Sequence, residues 1–438
     1  MSKIRLFGTS SGYVEIAPAA AASNNTLTAP STVGEIIAKD AAGAIGITSM
    51  KASNVNVGAA VTITESGIEA SGIGITCANI NGTQIGGRRN IIINGAMEVA
   101  QRGTSSTSEG YTCDRYNVLF AGTDEAPTHA QVDVASGTTP YTNGFRKALK
   151  ITNGNQTSGA GSGKYIIARY KIEAQDIAKS GWNYTSSSSF ITLSFWIKSS
   201  VAQNFYFNFI AADGTPQNYA YETGSLSANT WTKVIRTIPG NSNLQFDNNS
   251  NTGLQVDFWA YAGTNYTAGG VTLNQWAAYS SGNRMPDHAS TWYTTDNSTF
   301  EITGIQLEVG PQVTPFEHRS FGEEMSLCQR YFQRYTCTAQ EWIYVEGAGA
   351  QYKWWQAYFN PMRDQPSVDL TGLSTGGNAA GGSGTISSIA LVSVSDGGGH
   401  TNGRVSVRVT WSTSWGTAYN VHHLDAWNGE SVTFTSEL

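Results

Sequence analysis

Ile191-Thr192-Leu193-Ser194-Phe195-Trp196-Ile197 and Phe205-Tyr206-Phe207-Asn208-Phe209 decide the fold of this chain. Both alternate with period two, as strands do when one face is buried. Working outward, Trp231 to Ile238, Leu254 to Trp259 and Phe300 to Leu307 repeat the pattern, separated by loops rich in Gly, Asn and Ser. Residues 90–318 are therefore predicted to form one β-sandwich, with a short helix over Ile172 to Lys179.

The chain has 438 residues, enough for two or three domains. Charged residues make up 13%, against roughly 25% in ordinary soluble domains. With 48 glycines and abundant Ser, Thr and Asn, this is a composition of strands and polar turns. A net charge of −6, with no basic cluster larger than Arg88-Arg89, argues against a nucleic-acid partner. No stretch reaches the roughly 18 apolar residues of a membrane span, so no membrane insertion is expected. The start shows no basic-then-apolar secretory leader. Cys77, Cys113, Cys328 and Cys337 lack paired spacing and read as buried thiols made in a reducing cytosol, not as zinc ligands. Neither a metal nor a cofactor is expected.

Residues 1–89 differ sharply. They hold two aromatics, Phe7 and Tyr13, while all 12 tryptophans lie from Trp182 onward. Ile4 to Ile16 reads as a hairpin broken at Gly8-Thr9-Ser10-Ser11-Gly12, and residues 1–38 have too little apolar surface for a core of their own. Ile63, Ile68, Ile73, Ile80 and Ile85 then stand isolated among small and polar residues. So sparse an apolar set does not offset the entropy of ordering a lone chain. It does so if copies wind around a common axis or repeats stack; a disordered linker is the alternative. The preferred reading of 39–89 is an oligomeric shaft, with Ile68 and Ile73 as contact residues.

Past the sandwich, Gly322-Glu323-Glu324-Met325-Ser326-Leu327-Cys328-Gln329-Arg330-Tyr331-Phe332 reads as a helix. Phe321, Met325, Cys328, Phe332 and Tyr335 recur at helical spacing and are expected to line one face. Met325, Cys328 and Phe332 are the expected oligomer or domain contacts. Glutamates open this helix and Arg330 and Arg334 close it, as the helix dipole favours. Residues 319–438 are thus a connecting helix and a β-sandwich head, with strands at Glu341 to Val345, Trp354 to Phe359, Ile386 to Val394, Arg404 to Trp411 and Ser431 to Thr435.

The order of short motifs resembles bacteriophage tail-fibre and other virion structural proteins. The motifs are Asn90-Ile91-Ile92-Ile93-Asn94-Gly95, Gln101-Arg102-Gly103-Thr104, Tyr111-Thr112-Cys113-Asp114-Arg115-Tyr116, Gly304-Ile305-Gln306-Leu307-Glu308, Thr314-Pro315-Phe316-Glu317-His318-Arg319, the helix ending Cys328-Gln329-Arg330-Tyr331, Pro361-Met362-Arg363 and Phe434 to Leu438. The match covers 90–438; residues 1–89 match only in style. It implies a homotrimer on a virus particle. The sandwich also looks like the jelly roll of many carbohydrate-binding modules. In those modules a glutamate near Glu98 and an aspartate in the last strand hold calcium. Here the last strand reads Ile302-Thr303-Gly304-Ile305, without the aspartate.

Catalytic patterns fail on inspection. Gly159-Ala160-Gly161-Ser162-Gly163-Lys164 mimics a phosphate loop, but Ser158 replaces its first glycine and Tyr165 its magnesium-binding hydroxyl. His422-His423 sit next to each other on a strand and point apart. Asp287-His288 reads as a solvated pair. The neighbours Asp124-Glu125 and Glu323-Glu324 lack the opposed geometry of glycoside cleavage. The chain is not expected to be an enzyme.

The positive signal is aromatic and polar together. Trp and Tyr faces stack on sugar rings while Asn, Gln, Asp and Arg bond the hydroxyls. The glycan candidates are Tyr352, Trp354, Trp355, Trp411, Trp415, Tyr419 and Trp427, with Trp276, Tyr279, Trp292 and Tyr293 as a second group. Core packing competes for each. The expected function is a phage virion fibre protein, assembled in the host cytoplasm, that docks another virion protein through 1–38. It attaches to a host-surface glycan or protein, with weak sites made effective by several copies. The competing readings are a purely structural capsid or tail decoration, an envelope polysaccharide depolymerase, and a secreted carbohydrate-binding module.

Overall fold

The period-two segments become the strands of a two-sheet sandwich. A computed structural model describes residues 89–336, 360–364, 366–369 and 431–438. It also gives the backbone of strands at 4–7, 13–16, 61–64, 67–70, 79–80, 83–84, 341–345, 352–358, 374–376, 386–392, 404–411 and 422–426. The chain is mainly β and divides into two units, Met1–Cys77 and Ala78–Leu438.

In the first unit Ile4–Phe7 pairs antiparallel with Tyr13–Ile16, the hairpin expected from the sequence. Val61–Thr64 pairs with Gly67–Ala70, placing Ile68 opposite Ile63. Ile73 lies outside the described residues.

In the second unit thirteen strands build the sandwich. They are β1 (Ser105–Ser106), β2 (Gly110–Tyr111), β3 (Tyr116–Ala121), β4 (Thr128–Asp133), β5 (Lys147–Thr152), β6 (Tyr165–Glu173), β7 (Phe190–Ser199), β8 (Asn204–Ala211), β9 (Gln217–Ser225), β10 (Thr232–Pro239), β11 (Thr252–Ala262), β12 (Trp276–Ala278) and β13 (Thr299–Val309). One sheet runs β10-β7-β13-β5-β4-β1, the other β12-β9-β8-β11-β6-β3-β2. The inward sets, including Leu193, Phe195, Phe207, Phe258 and Ile302, are fully buried in one core. Phe195 meets Phe207 and Phe258 edge-on, with ring centroids 5.5 and 5.2 Å apart, the arrangement aromatic quadrupoles favour. The helix predicted over Ile172 to Lys179 is shorter, Ala174–Ala178, because Ile172 and Glu173 complete β6.

Two glycines are fixed by close approach. At Gly304 φ is +63°, and an added Cβ would stand 2.6 Å from the Phe145 ring. At Gly95 a Cβ would stand 2.1 Å from the Ile305 carbonyl oxygen, so only glycine lets the 90–95 segment lie against β13.

The helix Phe321–Gln329 starts with a capping box: the Glu323 amide donates to Ser320 Oγ and the Ser320 amide to Glu323 Oε2. Ser320→Ala is expected to cost about 1 kcal/mol. Equal denaturation midpoints for variant and parent would show the box to be without weight.

The five-residue helical stripe is corrected. The helix ends at Gln329, and Phe332–Thr336 is a strand paired with Ser431–Thr435. Cys328 and Phe332 are buried, Met325 is half-buried, and Phe321 and Tyr335 are exposed at 59% and 56%. Strand pairing competes with helix extension, and Phe332, Tyr335 and Thr336 are residues a pleated ladder accommodates well. Ser431–Thr435 also pairs with Ser367–Asp369. Two further three-stranded sheets follow, one from Glu341–Val345, His422–Ala426 and Ser374–Gly376, the other from Tyr352–Tyr358, Arg404–Trp411 and Ile386–Val392.

Candidate functional site

The outer face of the seven-stranded sheet carries a polar lattice over one apolar row. Register places Asn117, Arg169, Asp257 and Asn208 side by side across β3, β6, β11 and β8. Arg169 grips the fully buried Asp257 through Nε and Nη2 at 2.8 and 3.0 Å, and Gln255 donates to the same carboxylate at 2.9 Å. Asn208 accepts from the Trp259 indole at 2.8 Å and donates to Asn218 at 2.8 Å.

One half of this face is already covered. Tyr266, Val271 and Leu273 from the loop after β11, with Met285 from the loop after β12, pack onto Ile167 and Trp259. The Arg284 guanidinium lies 5.3–5.7 Å from the rings of Trp259, Tyr266 and Tyr279. The other half opens as a recess lined by Tyr111, Arg115, Asn117, Arg169, Lys171 and Leu438.

One wall of the recess is the joint between the sandwich and the terminal strands. Arg115, at φ +76°, lies 3.3 Å below the Tyr331 ring centroid, donates to the Lys171 carbonyl at 2.7 Å and pairs with Glu437. Burial opposes its charge, but Glu437 together with Tyr331, Tyr170 and Tyr111 holds the guanidinium above its ordinary value. Arg102 reaches Glu437 at 2.9 Å and covers the Phe332 ring at 3.6 Å. Behind it, the fully buried Glu173 takes two bonds of 2.7 Å from Arg330 and one of 2.7 Å from the Tyr331 hydroxyl. Burial alone would raise the Glu173 carboxyl, yet these donors hold it below the usual range. Arg363 fastens the end of the chain, donating to the Ser436 and Glu437 carbonyls at 2.6 and 3.1 Å. Asn90, Asn94, Arg319 and Glu324 close the far side: Glu324 accepts from the Asn94 amide and Arg319 donates to the Ile92 carbonyl. Glu324, read from sequence as a plain helix start, is thus a buried docking group.

The predicted glycan residues fall elsewhere. Trp354, Trp355 and Trp411 lie on the described backbone of Tyr352–Tyr358 and Arg404–Trp411, where Trp354 pairs with Arg408 and Trp355 with Val407. Their side chains, and Trp415, Tyr419 and Trp427 altogether, lie outside the described residues. In the second group, two residues take the competing core role. Trp292 and Tyr293 are fully buried core residues, because their loop folds back over Asn153, whose amide donates to the Tyr293 carbonyl at 2.7 Å. Trp276 and Tyr279 are half-buried, and the Trp276 indole donates to Pro239 at 2.7 Å.

Asp287-His288 is not simply solvated either. The His288 ring packs on Tyr206 with centroids 4.8 Å apart, and burial lowers its basicity. The glycine run before Lys164 is a turn, with Lys164 3.5 Å from Asp124. Cys113 and Cys328 are free and buried. Among the described residues no cluster of potential metal ligands occurs. Sequence reading missed Lys171, Arg169 and Asn117. The signal was there: Ile166-Ile167-Ala168-Arg169-Tyr170-Lys171-Ile172 sets both cations on the same, outward side of one strand.

No protein-family model matches the chain, and no curated protein does. Among solved structures, the enzymatically active domain of bacteriophage CBA120 tailspike protein 4 is 10% identical over 50% of this chain and 21% of its own, with a TM-score of 0.28. A family 4 carbohydrate-binding module is 13% identical over 50% of this chain and 98% of its own, TM-score 0.25. The N-terminal cellulose-binding domain of Cellulomonas fimi β-1,4-glucanase C is 11% identical over 49% and 99%, TM-score 0.23. The match spans about a fifth of the tailspike chain. At such identities and scores these likenesses assign neither family nor ligand.

Proposed function

We propose that this chain is a virion fibre protein that attaches a bacteriophage particle to its host, acting as a homotrimer with weak glycan sites multiplied across copies. One observation carries the reading. Motifs spread from Asn90 to Leu438, which together resemble tail-fibre proteins, meet in one buried joint: Asn94 with Glu324, Arg102 and Arg115 with Glu437, Arg330 beside Glu173, Arg363 on Ser436. Accidental short matches would scatter over the surface. Residues 1–38 are the docking segment for another virion protein and 39–89 the shaft about the trimer axis. The chain does not catalyse a reaction; it holds and recognises.

Multivalent recognition raises effective concentration, so adhesion depends on assembly. The test uses the full chain in native mass spectrometry and host-cell binding, beside a chain lacking 1–38 in particle incorporation. Expected are a trimer, saturable adhesion, and a truncated chain that folds but is absent from particles. Trimers without adhesion would favour a structural decoration, release of reducing ends a depolymerase. A monomer that incorporates normally without 1–38 would overturn the proposal.

A further inference from the structure

Among the described residues, Lys171 is a half-buried cation without an ion-pair partner of its own. Register on β6 places it two residues from Arg169 and beside Gln255, and its own carbonyl is bonded by Arg115. Two side-chain carboxylates of this neighbourhood are already engaged, Asp257 by Arg169 and Glu437 by Arg115 and Arg102. The Lys171 ammonium makes no hydrogen bond or ion pair among the described residues. Burial first, then the charge of Arg169, depresses its basicity. Asn117 also lines the recess, and one end of its amide is buried with no partner among the described residues; its oxygen and nitrogen interchange by a flip.

This arrangement is unfavourable for the free protein. An ammonium crowded by arginines and short of acceptors destabilises the fold, and a neutral polar residue would serve an outward strand position as well. A charge kept in a place that opposes it is a candidate binding position. In a chain of net charge −6, one recess gathers Arg115, Arg169 and Lys171 on its wall, the two arginines paired with Glu437 and Asp257 and Lys171 left over.

We propose that this recess binds a single anionic group on a sugar, a carboxylate or phosphate, with Lys171 as its counter-ion, Asn117 as a hydrogen-bond partner and the Tyr111 ring at the rim. It rests on the glycan reading above and narrows it to acidic glycans. A lysine supplies a point charge and tolerates either anion, whereas both arginines are committed to protein acceptors.

The experiment titrates the full chain with methyl β-glucuronide and glucose 6-phosphate by calorimetry, with methyl β-glucoside as the neutral control. The anionic probes are expected to bind in the millimolar range, more weakly at higher salt, and the stronger of the two identifies the anion. Lys171→Gln is expected to weaken that binding about tenfold or more while leaving the melting temperature unchanged or higher, and Lys171→Arg to retain most of it. Equal binding of charged and neutral probes, absence of binding, or an unaffected Lys171→Gln chain would overturn the site. Host adhesion that survives in a chain unable to bind either probe overturns this site alone. Absent adhesion with intact probe binding overturns the attachment reading alone.

Discussion

Glu173→Ala is expected to loosen the terminal strands from the sandwich and to cost about 3 kcal/mol. The carboxylate is completely buried and receives both the Arg330 fork and the Tyr331 hydroxyl. Its loss strands a buried phenol and a guanidinium together. The cost sits at the low end for a broken buried pair because the Arg330 side chain is 36% exposed and can rehydrate. The pH dependence has a fixed sign. The folded-state carboxyl titrates below the ordinary glutamate value, so its contribution is full above that value and is lost as acid drives the pH down through the lowered pKa. Denaturation of the parent and Glu173→Gln should therefore differ most near neutrality and converge in acid. A gap that widened in acid, or a Glu173→Ala chain as stable as the parent, would show that the joint is held elsewhere.

The joint also marks how far the sequence could be read. Alternation in β7, β8, β11 and β13 is visible because each strand has one buried face, and burial imposes period two on residue choice. Arg115 and Glu437 lie 322 positions apart, and no local pattern announces that a buried arginine will meet the tail of the chain. The motifs stand out in the sequence, but their physical meaning, a clamp of arginines, carboxylates and asparagines, appears only when the strands are placed. The helical stripe failed for a related reason. Period 3.6 from Phe321 to Cys328 is local, but the switch to strand at Phe332 depends on a partner a hundred residues away, Ser431–Thr435. Lys171 is a third case: its outward direction is legible, while its lack of an ion-pair partner among the described residues is a property of neighbours on other strands.

The tryptophans carry the same lesson to a measurable end. Trp292 and Trp231 both stand in polar sequence next to loops, and composition treats them alike. Trp292 is fully buried, donates its indole N–H to the Thr299 carbonyl at 3.0 Å, and has its amide capped by Gln203 at 3.0 Å. Next to it Tyr293 stacks on Tyr261 with centroids 4.0 Å apart. Trp292→Ala removes a large side chain from the interior and leaves a cavity the surrounding sheets cannot close, for about 3–5 kcal/mol. Trp231 is half-buried under Lys198, whose ammonium lies 5.0 Å from its ring, and its indole N–H has no partner among the described residues to lose. Trp231→Ala should therefore cost roughly 1 kcal/mol. Urea denaturation of the two variants side by side gives the comparison. If Trp292→Ala unfolded at the parent's midpoint while adhesion fell, its ring would be a binding surface after all, and the loop that covers it would have to open in solution.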